Sequence, residues 1–502
     1  MLSESVRKKI GQTLCFGFEG PEYTDDLDRF LQKTYCANII LFSRNYQNPV
    51  QLKRLTAALH RRIREITGTT ALITVDQEGG CVTRLMTGVT FPAGAATCGN
   101  TAYPDAAHVT GQHIGEDMIR LGLNVNLAPV LDIDPKDDLR FTEIRHYSSD
   151  PERVAALGGD FIRGLSGFGV LGCAKHFPGS GDGKTDTHYD TCRIDKDVEE
   201  LLSHDLLPFL RNNTVPCMMT THTIFSKVDS LPSTLSRNVI TGILRERMGY
   251  DGIVITDDLE MEAIKKYFGA ADAALRSLRA GADVVLCCHT RSTQEAIFEA
   301  LCGAYEAGEL TDAMLDEKAA RLGRFRAFSQ TYLDRFFDPA APYVCSEEHN
   351  RIQQEIVDRS IQTVCGTLPE ITEHTLFVAP EAFSVNAAEG TFSERSLPAL
   401  LRRDFPACDT VTLNDTPECR AAIFDRLDKY DKVVYFTYNV NYRPYQVRYA
   451  NEIAGRKPLY LFSMKGKADL PLYDNPQNYA VAWEYTPNSI RAVGNLLKKG
   501  KL

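Results

Sequence analysis

The chain has 502 residues, 43% hydrophobic and 24% charged, a composition ordinary for a soluble globular protein with room for more than one core. A formal net charge of -10, with no basic run beyond short patches such as His60-Arg61-Arg62, argues against nucleic acid or an anionic membrane as partner. The charged start has no apolar stretch of signal-peptide length after it, and no stretch elsewhere could span a bilayer. The 14 Cys form no Cys-x-x-Cys pair, and Cys173, Cys217, Cys287 and Cys288 lie in apolar runs, so the expected location is the reducing cytoplasm.

Apolar β-type runs recur at 38–42, 72–75, 123–130, 170–174, 215–220, 252–255 and 282–288, with helix-compatible segments between them. This βα repeat predicts an α/β fold whose first domain is a (β/α)8 TIM-type barrel with one strand missed or irregular. Most of the runs end in polar groups. Asp76-Gln77-Glu78-Gly79-Gly80 follows the second, Asp132 the third, Lys175-His176 the fourth, His222 the fifth, Asp257-Asp258 the sixth and His289 the seventh. The C-termini of barrel strands share one face, so these groups describe a polar pocket able to surround a sugar. Adjacent strand residues point opposite ways, so only one of Asp257 and Asp258 is expected to face that pocket.

The barrel is expected over residues 1–335 and a linker over 336–346, where Phe337-Asp338-Pro339-Ala340-Ala341-Pro342 breaks regular structure. A smaller α/β sandwich domain should then occupy 347–502, with a helix at 347–364 and strands at 375–379, 432–437 and 458–463. Neither Gly-x-Gly-x-x-Gly nor Gly-x-x-x-x-Gly-Lys occurs there, so no nucleotide loop is expected in it.

The segment from Lys175 to His188 crowds two His, two Lys and two Asp into a glycine-punctuated loop after an apolar strand, a loop suited to a polar substrate. It fails as a calcium loop. Asp182, Lys184 and Asp186 could fill the first ligand positions, but the required Gly is Thr187 and the closing Glu is Arg193, so no metal is predicted.

Lys175-His176-Phe177-Pro178-Gly179-Ser180-Gly181-Asp182-Gly183-Lys184-Thr185-Asp186-Thr187-His188 resembles the signature of the β-N-acetylglucosaminidase branch of glycoside hydrolase family 3, Lys-His-Phe-Pro-Gly-His-Gly-Asp-Thr-x-x-Asp-Ser-His. Ser180 replaces a His of that pattern and Gly183 a Thr. Further blocks are similar and in family order: Lys9-Ile10-Gly11-Gln12, Asp76-Gln77-Glu78-Gly79-Gly80, Arg145 to Pro151, Leu231 to Ser236, and Gly252 to Met261. Cys81 stands where the family commonly has Arg, and His146 where it has Ser.

The resemblance implies Asp257 as nucleophile, His188 as acid/base with Asp186 as its partner, and Asp76, Arg84, Arg145, Lys175 and His176 as sugar-binding residues. An imidazole can both give and take a proton near neutrality, which suits the acid/base role. The implied protein is a cofactor-independent, retaining β-N-acetylglucosaminidase acting on terminal N-acetylglucosamine of peptidoglycan fragments (muropeptide-like carbohydrates) during recycling. Two other readings stand beside it. One is a β-N-acetylglucosaminide phosphorylase, since a neutral His repels phosphate less than a carboxylate does. The other is a catalytically inactive sugar-binding protein that keeps the fold.

Overall fold

In the computed structural model, which describes residues 2–135, 143–183, 190–383 and 396–500, eight parallel strands close into a barrel. They are β1 Leu14–Phe16, β2 Asn38–Leu41, β3 Leu72–Val75, β4 Val125–Asn126, β5 Leu171–Phe177, β6 Cys217–Thr220, β7 Ile253–Asp258 and β8 Val284–Cys287. Seven fall where the apolar runs predict strands, and the eighth is β1. Its three residues are buried and pair with both β8 and β2, closing the ring. Strand β4 is shorter than the 123–130 run: Pro129 has no N–H to give to the ladder, and beyond Asn126 the pairing goes on as separate bonds, such as Cys173 N to Ala128 O at 2.9 Å, and an isolated bridge from Val130 to Lys175.

Cys15, Ile40, Leu72, Leu171, Ile253 and Val284 help fill the barrel interior, joined from below by Leu322. Leu322 lies on the helix Asp312–Phe336, which caps the N-terminal mouth. From that helix Lys318 Nζ donates to Ala282 O at 2.6 Å, Arg321 Nη1 pairs with Asp283 Oδ1 at 2.5 Å, and Arg326 Nη2 donates to Asn38 Oδ1 at 2.7 Å. With the strands' starting ends sealed, the C-terminal face is the one left to build a site on.

The second domain is a six-stranded sheet: β9 Gln362–Cys365, β10 Thr375–Ala379, β11 Asp409–Thr412, β12 Lys432–Thr437, β13 Leu459–Ser463 and β14 Asn478–Val481. The spatial order is β9-β14-β13-β12-β10-β11, with only β9 antiparallel to its neighbour. Helices Glu347–Asp358 and Pro487–Lys499 pack together, and their side chains reach the barrel: Gln353 Oε1 accepts from Ala93 N at 2.8 Å, and Asn488 Nδ2 donates to Phe91 O at 3.2 Å.

Candidate active site

A cavity of about 400 Å³ opens on the C-terminal face of the barrel, walled by residues at or just beyond the ends of β2, β3, β5, β7 and β8. One wall of it is an ion network. Lys175, near the end of β5, sits 2.9 Å from Asp76 Oδ1 and 2.7 Å from Glu78 Oε1. Arg145 grips the same Glu78 with two bonds, Nε to Oε2 at 2.9 Å and Nη2 to Oε1 at 2.7 Å, and Arg84 Nη2 lies 3.8 Å from Asp76 Oδ2.

Burial alone would drive Glu78 and Lys175 neutral, but opposite charges outweigh it. Against its own desolvation, the Glu78 carboxyl is held far below the usual carboxylate range by Arg145 and Lys175. Lys175, likewise desolvated, is kept above the ordinary lysine value by Asp76 and Glu78. Glu78 and Lys175 thus stay charged in this wall.

His176 is oriented from behind. Its Nδ1 lies 2.7 Å from Asp132 Oδ2, a carboxylate that accepts the Nδ1–H and leaves Nε2 as the other ring nitrogen available for bonding. The other oxygen of Asp132 accepts from Ser180 N at 2.7 Å, tying down the start of the 175–188 loop. Asp132 therefore supports the pocket without lining it. His222 does the same for β7, with Nε2 2.9 Å from Asp258 O and Nδ1 2.9 Å from Thr234 Oγ1.

Both Asp257 and Asp258 line the cavity, against the expectation that strand alternation admits only one. The cause lies in the pairing of β7 with β8. Val284 pairs with Ile255 and Leu286 with Asp258, so three steps on β7 match two on β8, and the extra residue breaks the alternation. Asp258 Oδ1 accepts from Glu260 N at 3.1 Å and Cys288 N at 3.2 Å. Burial first, then the charges of Glu260 and Asp257, push its carboxyl up to about 7.

Of the sequence-predicted residues, the structure brings Asp76, Arg84, Arg145, Lys175, His176 and Asp257 to this one cavity. Asp186 and His188 lie outside the described residues. Sequence reasoning passed over Glu78 as a site residue, although its place in the Asp-Gln-Glu-Gly-Gly block two residues beyond Asp76 was the available signal. It also passed over Phe42, Arg44 and Met86 at the rim.

The two departures in the loop are accommodated locally. Ser180 Oγ bonds Thr221 Oγ1 at 2.9 Å, and a Cβ on Gly183 would fall 2.7 Å from Cys192 Sγ, so a Thr there would require Cys192 to shift. Asp258, Cys288 and His289 offer ligand atoms within 4.8 Å of one another, the one such metal-like group among the described residues. Arg44 Nη1, 3.2 Å from His289 Nδ1, places a positive charge beside any cation held there.

A carboxylate-and-cation pocket on the C-terminal face of a (β/α)8 barrel stands where enzymes of this fold place their active sites. The model of the glycosyl hydrolase family 3 N-terminal domain matches residues 5–325, and the chain belongs to that family. It is 34% identical over 291 residues to a Beta-hexosaminidase of Pseudomonas aeruginosa, covering 58% of this chain and 86% of that protein. Beta-hexosaminidase A of Pseudoalteromonas piscicida is 28% identical over 406 residues, 74% of this chain and 68% of that protein. Among solved structures, the glycoside hydrolase family 3 beta-N-acetylglucosaminidase of Paenibacillus sp. str. FPU-7 superposes with a TM-score of 0.91 at 30% identity, covering 100% of this chain and 98% of that one.

Proposed function

We propose that this protein removes terminal β-linked N-acetylglucosamine with retention of configuration, taking peptidoglycan fragments as its natural substrates. It is a β-N-acetylhexosaminidase, in keeping with the names its relatives carry. The observation that supports the mechanism best is the placement of Asp257 in the same cavity as the charged wall of Asp76, Glu78, Arg84, Arg145 and Lys175. Sugar hydroxyls bond to that wall and to His176 while Asp257 attacks the anomeric carbon.

In the first step the C1–O bond to the aglycone breaks as a bond from Asp257 to C1 forms, and His188 gives its proton to the departing oxygen. In the second step His188, now neutral, takes a proton from water, whose oxygen displaces the Asp257 ester; Asp186 supports the protonated imidazole that exists before the first step and after the second. Protein groups serve every step, so no cofactor is invoked. Fourteen free thiols support a reducing workplace such as the cytoplasm.

The test is a screen of aryl β-glycosides of N-acetylglucosamine, glucose and xylose, in phosphate and in phosphate-free buffer. Preference for N-acetylglucosamine with free sugar as product is expected. Preference for glucose, or sugar 1-phosphate as the main product, sinks the reading.

The presence of both Asp257 and Asp258 in the cavity favours a second reading, in which the substrate's acetamido oxygen attacks C1 while one acid orients the acetamide and the other protonates the leaving group. A fluorosugar that labels Asp257 decides for the direct nucleophile. Tight inhibition by an N-acetylglucosamine thiazoline, without covalent adduct, decides for the acetamide.

A further inference from the structure

Glu78 lies at the start of a tight turn. Gly79 and Gly80 follow it with φ of 93° and 57°, and a Cβ on Gly79 would stand 2.2 Å from Ala93 O. Gly80 N donates to Pro92 O at 2.9 Å. The turn that carries Glu78 therefore rests on the backbone of residues 92–94.

The second domain holds that backbone. Gly94 N donates to Glu484 Oε2 at 2.8 Å, and Thr97 Oγ1 donates to the same oxygen at 2.7 Å. The other oxygen, Oε1, accepts from Thr486 Oγ1 at 2.6 Å, and Glu484 is only 1% exposed. Burial pushes its carboxyl up, against the opposing hydroxyl and amide donors, and an acceptor oxygen is what those donors use. Apolar contacts run the same way. Cys81 and Ile144, close in sequence to Glu78 and Arg145, belong to the same hydrophobic cluster as Trp483 and the second domain's strands. Among the described residues, none from the second domain lines the cavity.

We propose that Glu484 is a positioning residue for the active site: through Gly94 and Thr97 it fixes the bed beneath Gly79–Gly80, and so sets the Glu78 carboxylate that aligns Lys175 and Arg145 for the sugar. This rests on the proposed sugar-binding role of that wall. It gives the second domain a task in catalysis with no atom of its own on the substrate.

The test uses the full chain and a para-nitrophenyl N-acetyl-β-glucosaminide, or whichever aryl glycoside the wild type turns over. Wild-type inactivity on every aryl glycoside would count against the functional reading; differences between variants bear on Glu484. Glu484→Ala should raise KM about tenfold or more, with a smaller change in kcat and unmoved limbs of the pH profile. Glu484→Gln keeps an acceptor for Gly94 and should stay within about threefold of wild type. A wild-type KM in Glu484→Ala, a fall confined to kcat, or a Gln variant as impaired as Ala overturns the proposal. Should Glu484→Ala not fold, Thr97→Val decides. Its fold is checked by the emission of the only tryptophan, Trp483, and KM should rise about threefold; a wild-type KM in a folded Thr97→Val overturns the proposal.

Discussion

The two ends of the barrel are built from the same residue types and behave differently. At the N-terminal end Asp283 is fully buried, and its oxygens are taken by Arg245 at 2.7 Å, Arg321 at 2.5 Å and Val254 N at 2.8 Å. At the C-terminal end Asp76, Glu78, Lys175 and Arg145 form a comparable network that borders a cavity. Buried ion pairs alone do not mark a functional site. What separates the two networks is space for a ligand and the carboxyls of Asp257 and Asp258 facing it.

The sharpest break between the ends should come from Asp257→Ala. Turnover of an aryl N-acetylglucosaminide should fall on the order of 10⁴-fold or more while the melting temperature stays put, measured by steady-state kinetics and a thermal scan. Next in size is His188→Ala. It should slow a natural disaccharide by about 10²- to 10⁴-fold and an activated aryl glycoside far less, because only the former needs protonation at departure; equal losses on both would remove His188 from the acid role.

At the opposite end Asp283→Ala should cost about 3–5 kcal/mol in urea unfolding, because two partly buried guanidiniums and the Val254 N–H lose the buried carboxylate they share. The activity of the fraction still folded should match wild type. A change in KM there would mean the two ends are coupled.

The last effect, no larger than that of Asp283→Ala and visible only as a slope, is expected from Asp258→Asn, read as stability against pH. Its carboxyl, raised to about 7 in the folded chain, binds a proton that the unfolded chain has already lost above about pH 4. The wild type should therefore lose stability as pH rises from about 4 to about 7, then level off. The Asn variant should lack that slope and be the more stable of the two at pH 8. Parallel profiles would show that Asp258 titrates normally.

The sequence read best where apolar runs were long and flanked by turn residues. That is why seven barrel strands, and the central β10, β12 and β13 of the second sheet, were legible. β1 was missed because Leu14-Cys15-Phe16 is too short to show a period beside the helix before it. β9 and β11 escaped because they are half-exposed edge strands with little apolar signal. In the site, strand-end position found Asp76, Lys175 and Asp257. It could not tell the lining residues from the supports Asp132 and His222, since both kinds sit at strand ends and differ only in depth. Nor could it foresee that the extra residue in β7 turns Asp258 into the same cavity as Asp257.

The barrel interior holds sulfur from several strands, including Cys15, Cys173 and Cys217. Burial raises all three thiols well above their ordinary value, so at neutral pH they are protonated and shielded from alkylating reagents. A reagent reaches them only when the strands part. Their modification under native conditions therefore works as a clock for barrel opening, built into the chain without any engineered label.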